Sequence, residues 1–171
     1  MTDNLHSCTG HRLKARKIIS CALWTCSAAM LIKAVFPMFQ ILGESMSPTL
    51  EDGEFIITRR RRKVKKGDVV IFRHGGNLLI KRVAASECER VEITADSRLK
   101  INGEIISEPY AHGEMGSIRV TVPPKSYFLM GDNRKVSVDS RSEKVGCVHE
   151  NMIFSKAVLR IYPFSKAGII K

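Results

Sequence analysis

The sequence predicts a mainly β protein carried behind one N-terminal transmembrane helix. Three observations lead there. Residues 18–36 form an almost uninterrupted apolar run, short stretches of β-branched and aromatic residues follow at close intervals, and glycine, asparagine and proline punctuate them. At 171 residues the chain can hold one domain with a real core plus an appendage. A hydrophobic share of 44% fits a folded domain and excludes both general disorder and a multi-span membrane protein.

The apolar run at 18–36 spans roughly 28 Å at ~1.5 Å per residue, close to a hydrocarbon core of about 30 Å. Lys33 interrupts it near the far end, where an ammonium can snorkel to the headgroups. Arg12, Lys14, Arg16 and Lys17 precede the run against the single acid Asp3, which orients the N-terminus to the cytoplasm. Two other readings compete. Ser27-Ala28-Ala29 offers the small residues of a cleaved secretory signal, but the run continues past them. A buried core helix would be apolar on one stripe, and this run is apolar almost all round. The organisation expected is a cytoplasmic basic tail at 1–17, a transmembrane helix at 18–36 and an extracytoplasmic β-rich domain at 37–171.

Pro37 ends the helix. Strands are expected at 38–42, 54–58, 69–72 and 78–83, the last two joined by the hairpin turn His74-Gly75-Gly76-Asn77. Further strands fall at 91–94, 99–106, 117–122 and 127–130. A polar loop at 131–141 follows, and 152–161 reads as a strand pair or one bent strand.

A net charge of +11 points to an anionic partner, either nucleic acid or a phospholipid membrane. Seven cations fall within residues 59–66, which read as a solvated loop or as a contact with anionic lipid. Nucleic acid is disfavoured, because no aromatics interleave the cations and no reading motif accompanies them. The five cysteines fit neither a disulfide framework nor a zinc site, and pairing of Cys88 with Cys147 stays open. The histidines show no ligand spacing, so neither a metal nor another cofactor is expected.

Ser45 stands in Gly43-Glu44-Ser45-Met46-Ser47-Pro48-Thr49-Leu50, where a proline stiffens the backbone beside two hydroxyls. A serine nucleophile needs a base, and the histidines sit in polar or turn-like contexts. Lysine is the other choice, provided burial lowers its pKa. Lys81 follows Leu78, Leu79 and Ile80 and precedes Arg82 and Val83. The period of two places Leu79, Lys81 and Val83 on one face. A lysine there is either paired with a carboxylate or functional, and a Ser-Lys dyad is one form of triad logic.

Four ordered stretches carry a resemblance: the serine stretch, Lys66-Gly67-Asp68-Val69-Val70-Ile71-Phe72, Ile80-Lys81-Arg82-Val83, and Met130-Gly131-Asp132-Asn133-Arg134 continuing through Val138-Asp139-Ser140-Arg141. Together they resemble the motifs of bacterial type I signal peptidases, in the short Gram-positive form. The resemblance implies a signal-peptidase-like antiparallel β-sheet domain, with Ser45 as nucleophile and Lys81 as general base. It implies that Ser137 orients the lysine amine through a hydrogen bond, and that Asp132, Arg134, Asp139 and Arg141 hold the loop by buried pairing. The Ser45 N–H would donate to the oxyanion. Substrates would be secreted preproteins bearing signal peptides, their small residues received by Ile41, Met46, Leu50, Leu79 and Ile80. The chain departs from the family after Val83, where Ala85-Ser86-Glu87-Cys88-Glu89 replaces a Gly-x-Pro-Gly-Asp turn, leaving Glu89 in the aspartate's place. Gly43 stands where proteobacterial forms carry an oxyanion-assisting serine.

The expectation is a membrane-anchored serine endopeptidase of the cell membrane, with its catalytic domain outside. Rival readings are a conjugation or pilus processing peptidase with the same dyad, and a self-cleaving SOS-type repressor, which would lack a membrane span. The third is an inactive membrane-tethered homologue.

Overall fold

The computed structural model describes residues 34–60 and 63–170. The chain divides into two units, 1–37 and 38–171. Of the first, only 34–37 are described, so the expected span lies outside the described residues save for its last three positions. Among the described residues no helix is long and apolar enough to cross a membrane.

The second unit is mainly β, as the spacing of apolar runs and turns predicts, and antiparallel, as the resemblance implies. Its strands are β1 (Met38–Gln40), β2 (Phe55–Arg59), β3 (Val69–His74), β4 (Asn77–Ala85), β5 (Arg90–Ile93), β6 (Leu99–Ile101), β7 (Glu104–Ile105), β8 (Ile118–Thr121), β9 (Ser126–Met130), β10 (Val148–His149), β11 (Ile153–Tyr162) and β12 (Gly168–Ile169). The larger sheet runs β1-β2-β11-β3-β4-β9-β10, with β12 added to β11, and the smaller runs β7-β6-β5-β8.

Local chemistry sets the register. Gly75 and Gly76 both take positive φ, so a two-residue turn joins β3 to β4 and pairs His74 with Asn77. That register puts Lys81 opposite Val70 and Leu79 opposite Phe72. Near its end β4 is buried throughout, as is all of β9. Their alternate residues enter two different cores. Ala85, Phe128 and Met130 pack with Val91, Ile93, Leu99 and Ile101 of the smaller sheet. Val83, Tyr127 and Leu129 pack with Val70 and Phe72, and Leu79 lies against them. Burial on both faces explains the unbroken apolar run at 127–130.

The structure corrects one expectation about elements and decides two others. The strand expected over 99–106 breaks into β6 and β7, because Asn102 and Gly103 turn the chain at positive φ. The region 152–161 is the bent strand rather than a strand pair; β11 shifts register against both β2 and β3. The loop 131–141 is polar, and Asp132, Arg134, Asp139 and Ser140 within it are buried, as the pairing implied by the resemblance requires.

Candidate active site

Ser45 lies on the turn between β1 and β2. Met46 and Leu50 pin that turn from below, both fully buried in a core cluster with Ile41, Ile56, Val69, Ile71 and Ala157. Each buried side chain of this size contributes about 2–3 kcal/mol. Backbone bonds from Ser47 N–H to Glu44 O at 3.1 Å and from Leu50 N–H to Met46 O at 2.9 Å shape the turn, and the Ser47–Pro48 peptide is cis. The Gly43 N–H donates to Asp52 Oδ1 at 2.7 Å. The Ser45 carbonyl accepts from Asn133 N–H at 3.1 Å, which ties the turn to the loop at 131–141. Among the described residues the Ser45 N–H has no acceptor.

The loop can come this close because residue 131 is glycine. A Cβ there would lie 2.2 Å from Ser137 Oγ and 2.5 Å from Ser45 O, closer than any side chain tolerates.

Lys81 reaches Ser45 from β4, and its Nζ donates to Ser45 Oγ at 2.6 Å. Only 3% of Lys81 is exposed. Burial lowers its pKa to about 8, against the opposing pull of the Asp139 and Asp132 carboxylates, and the nearby Arg141 charge adds to the lowering. Asp139 is itself buried, which alone would raise its carboxyl; the hydrogen bonds and charge of Arg141 and the Gly131 N–H outweigh that and hold it below the usual range. Arg141 grips it at 2.8 and 2.9 Å.

Two other charged members of the loop, Asp132 and Arg134, pair outside it. Asp132 accepts from Arg82 Nε at 2.9 Å and Nη2 at 2.7 Å, and takes a short hydrogen bond from Thr49 Oγ1. Arg82 also donates to Gly67 O at 2.9 Å, and its guanidinium stacks on the Tyr110 ring at 4.1 Å. Arg134 pairs with Glu108 at 2.7 Å. One buried ion pair therefore joins the Ser45 turn, the strand bearing Lys81 and the loop between them.

Beside the two residues runs a groove of about 250 Å³ lined by Phe39–Leu42 of the β1 end, Ser45, Ile71, and Leu78–Lys81 of β4. Ile41, Leu79 and Ile80 line it. Met46 and Leu50 do not; they are core residues beneath the serine, and this corrects their assignment as pocket residues. A second, more open concavity, bounded by Gly43, Glu44, Asp52 and Val136, shares Leu42 and Ser45 with the groove. Among the described residues no three His, Cys, Asp or Glu side chains gather as a metal site.

A sequence model described as signal peptidase, peptidase S26, matches residues 14–162. The chain belongs to the signal peptidase family, peptidase S26. Signal peptidase IB of Staphylococcus aureus strain Mu50 is 33% identical over 174 residues, covering 87% of this chain and 90% of that protein. Signal peptidase I of Bacillus amyloliquefaciens is 33% identical over 157 residues, covering 80% of this chain and 79% of its own. A crystal structure of a signal peptidase I from Enterococcus faecalis V583 is 29% identical, covers 55% of this chain and 96% of that one, and has a TM-score of 0.49. The relatives are type I signal peptidases, and this chain is an enzyme of that type.

At residues 85–89, where the sequence departs from the motif, the chain turns without glycine or proline. Cys88 takes a φ of 64°, a left-handed conformation that glycine holds at no cost. Glu89 Oε2 accepts from Ser86 N–H at 2.7 Å, closing the turn, and Lys66 holds its other oxygen at 2.7 Å. Cys88 and Cys147 are both free thiols. The expected hydrogen bond from Ser137 to Lys81 is not formed. Ser137 Oγ is buried with no partner in hydrogen-bonding geometry, packed over Gly131 and near enough to Asp139 to help keep that carboxylate ionised.

Sequence reasoning missed Thr49, Arg82, Glu108 and Tyr110. One signal was available: Arg82 directly follows Lys81 inside an apolar strand, so both faces of β4 carry a cation, and the second needs a buried carboxylate as much as the first.

Proposed function

We propose that this signal peptidase is a membrane-anchored serine endopeptidase that removes N-terminal signal peptides from secreted preproteins by a Ser45–Lys81 dyad. The observation that carries the reading is the 2.6 Å contact between Lys81 Nζ and Ser45 Oγ, made by a lysine whose pKa is lowered to about 8. At pH 7 about a tenth of such a lysine is neutral. In that form the contact reverses, and the Ser45 hydroxyl donates to the amine.

Ser45 Oγ then attacks the scissile carbonyl while Lys81 takes its proton. Charge develops on the carbonyl oxygen, and the unengaged Ser45 N–H is the donor positioned nearest by covalent structure to receive it. Gly43 brings no hydroxyl, so this backbone donor carries the oxyanion contact. Lys81 passes the proton to the departing amine, which leaves the signal peptide esterified to Ser45. A water deprotonated by Lys81 releases it. Asp139 and Arg141, with Asp132 through Arg82, act as positioning residues, and Ser137 packs the loop that bears them. The small volume of the groove suits the small side chains that precede the cut, received by Ile41, Leu79 and Ile80. No cofactor enters this scheme.

The apolar run at 18–36 and the basic tail before it support a single-pass anchor with the N-terminus in the cytoplasm. Protease digestion of intact spheroplasts tests the topology, since a protected C-terminal domain would overturn it. Incubation of the purified chain with a model preprotein, with the cut site mapped, tests the activity.

A further inference from the structure

Residues 106–117 link β7 to β8 as a strap fastened at both ends to the smaller sheet. The Ile106 N–H donates to Leu99 O at 2.9 Å, and the buried Met115 gives its N–H to Ser97 Oγ at 2.9 Å. The tip of the strap is the turn Glu108-Pro109-Tyr110-Ala111, closed by the Ala111 N–H on Glu108 O at 3.0 Å, with proline at the second position, where its fixed φ suits a turn. The Tyr110 hydroxyl donates to Glu108 Oε1 at 3.1 Å, so one turn presents a ring and a carboxylate together. A strap that only completed the smaller sheet would direct these groups at that sheet. Both go instead to arginines that hold the active-site loop.

The Arg82 guanidinium carbon sits over the Tyr110 ring, 4.1 Å from its centroid, while its N–H groups are given to Asp132, Thr49 and Gly67 O. The Glu108 carboxylate takes Arg134, whose Nη1 and Nη2 donate to it at 2.9 and 2.7 Å while its Nε holds Gly131 O at 2.9 Å. Past the turn the strap bonds to the loop backbone. His112 N–H donates to Asp132 O at 3.0 Å, and His112 O accepts from Arg134 N–H at 2.8 Å. Those two bonds flank Asn133, whose own N–H is the one given to Ser45 O at 3.1 Å. A Cβ at Gly113 would meet Lys135 N at 2.9 Å, so the close approach of strap to loop requires glycine there.

We propose that the strap is a positioning device for the nucleophile, and that Tyr110, acting through Arg82 and Asp132, is the positioning residue at its centre. The proposal rests on the peptidase reading above and gives the smaller sheet a part in catalysis. The ring shields the Arg82–Asp132 pair, whose side chains are 4% and 0% exposed, and exclusion of water strengthens such a pair. The pair fixes Asp132, the bonds to His112 fix the backbone on both sides of Asn133, and Asn133 then fixes the Ser45 carbonyl. The carbonyl, N–H and Cβ of Ser45 share one Cα. Holding the carbonyl therefore aims both the Oγ toward Lys81 and the N–H that receives the oxyanion. A misplacement of about 1 Å at the reacting atoms costs on the order of a hundredfold in rate. No strap residue lines the groove, so the effect falls on turnover rather than on substrate binding.

The test compares the full chain in detergent as wild type, Tyr110→Leu and Tyr110→Phe, at a temperature where thermal melts show all three folded. Tyr110→Leu removes the ring and should lower kcat on a model preprotein by about tenfold or more, while KM stays within about twofold. Tyr110→Phe keeps the ring under Arg82 and should hold kcat within about threefold of wild type. Hydrogen exchange at the Asn133 amide reads the grip without activity. That amide should be protected in wild type and in Tyr110→Phe, and should exchange about tenfold faster in Tyr110→Leu. Gly113→Ala loosens the strap without touching the ring, and it carries the test should Tyr110→Leu not fold; it should show the same fall in kcat and the same loss of Asn133 protection. Unchanged kcat and protection in either variant, with only a lower melting temperature, would make the strap a structural element and overturn the proposal. A rise in KM at constant kcat would place Tyr110 against the substrate and overturn it too, as would a Tyr110→Phe as slow as Tyr110→Leu. Ring-dependent protection of Asn133 in a wild type that cleaves no preprotein would leave the grip standing and overturn the peptidase reading.

Discussion

The amine of Lys81 stands 2.6 Å from the hydroxyl of Ser45, across 36 positions of sequence. The contact depends on a turn pinned by Met46 and Leu50, and on a strand whose register places Lys81 among apolar neighbours.

Activity should follow the ionisation of that amine. Burial lowers the Lys81 pKa to about 8, and only the neutral form accepts a proton. The cleavage rate should therefore rise about tenfold per pH unit below 8 and level off above it. Lys81→Arg should be inactive at every pH, because a guanidinium does not lose its proton. A flat profile between pH 6 and about 9, measured as kcat/KM on a peptide substrate, would contradict this.

The same burial costs stability. The folded pKa of Lys81 lies below the ordinary 10.5, so the unfolded chain binds more protons between about pH 8 and 10.5, and stability rises with pH across that window. Below pH 8 the full penalty applies. At about 1.4 kcal/mol per unit it amounts to roughly 3 kcal/mol. Lys81→Met should accordingly be more stable than wild type by about 1–3 kcal/mol at pH 7, with the gap closing above pH 10. Urea melts at pH 7 and pH 10 check it, and a variant less stable at pH 7 would refute it.

Asp132 should matter for structure first. Asp132→Ala leaves the Arg82 guanidinium buried without its carboxylate, and breaking such a pair costs about 3–5 kcal/mol. Cleavage should fall as well, because Thr49 and Arg82 lose the anchor they share. A loss below about 1 kcal/mol by urea denaturation would show that the pair is replaceable.

Cys88→Gly should stabilise the domain by about 1 kcal/mol, since a left-handed residue with a Cβ costs 1–2 kcal/mol. A drop in melting temperature would show that the Cys88 side chain contributes more than its backbone costs.

How much was legible follows from where each signal resides. The hairpin around Gly75 and Gly76 and the strands on either side were readable because turn chemistry and apolar runs are local. Lys81 was readable because a cation inside an apolar strand stands out against a period of two. β10 and β12 were missed because two residues carry no pattern, and only pairing with β9 and β11 makes them strands. The partners of Asp132 were missed for a similar reason. Arg82 is 50 positions away and Thr49 83, so nothing local announces the pair. Adjacency to the serine does not reveal which way a side chain points, so sequence alone does not separate Met46 and Leu50, in the core, from residues of the pocket.

The most direct test of the dyad is cleavage of a model preprotein by the purified full-length chain, wild type against Ser45→Ala, with both proteins shown to be folded by thermal melting and the new N-terminus sequenced. Wild type should release the mature chain at a single site preceded by small residues, and Ser45→Ala should release none above background. Cleavage by Ser45→Ala at a rate near that of wild type would contradict the assignment of Ser45 as nucleophile.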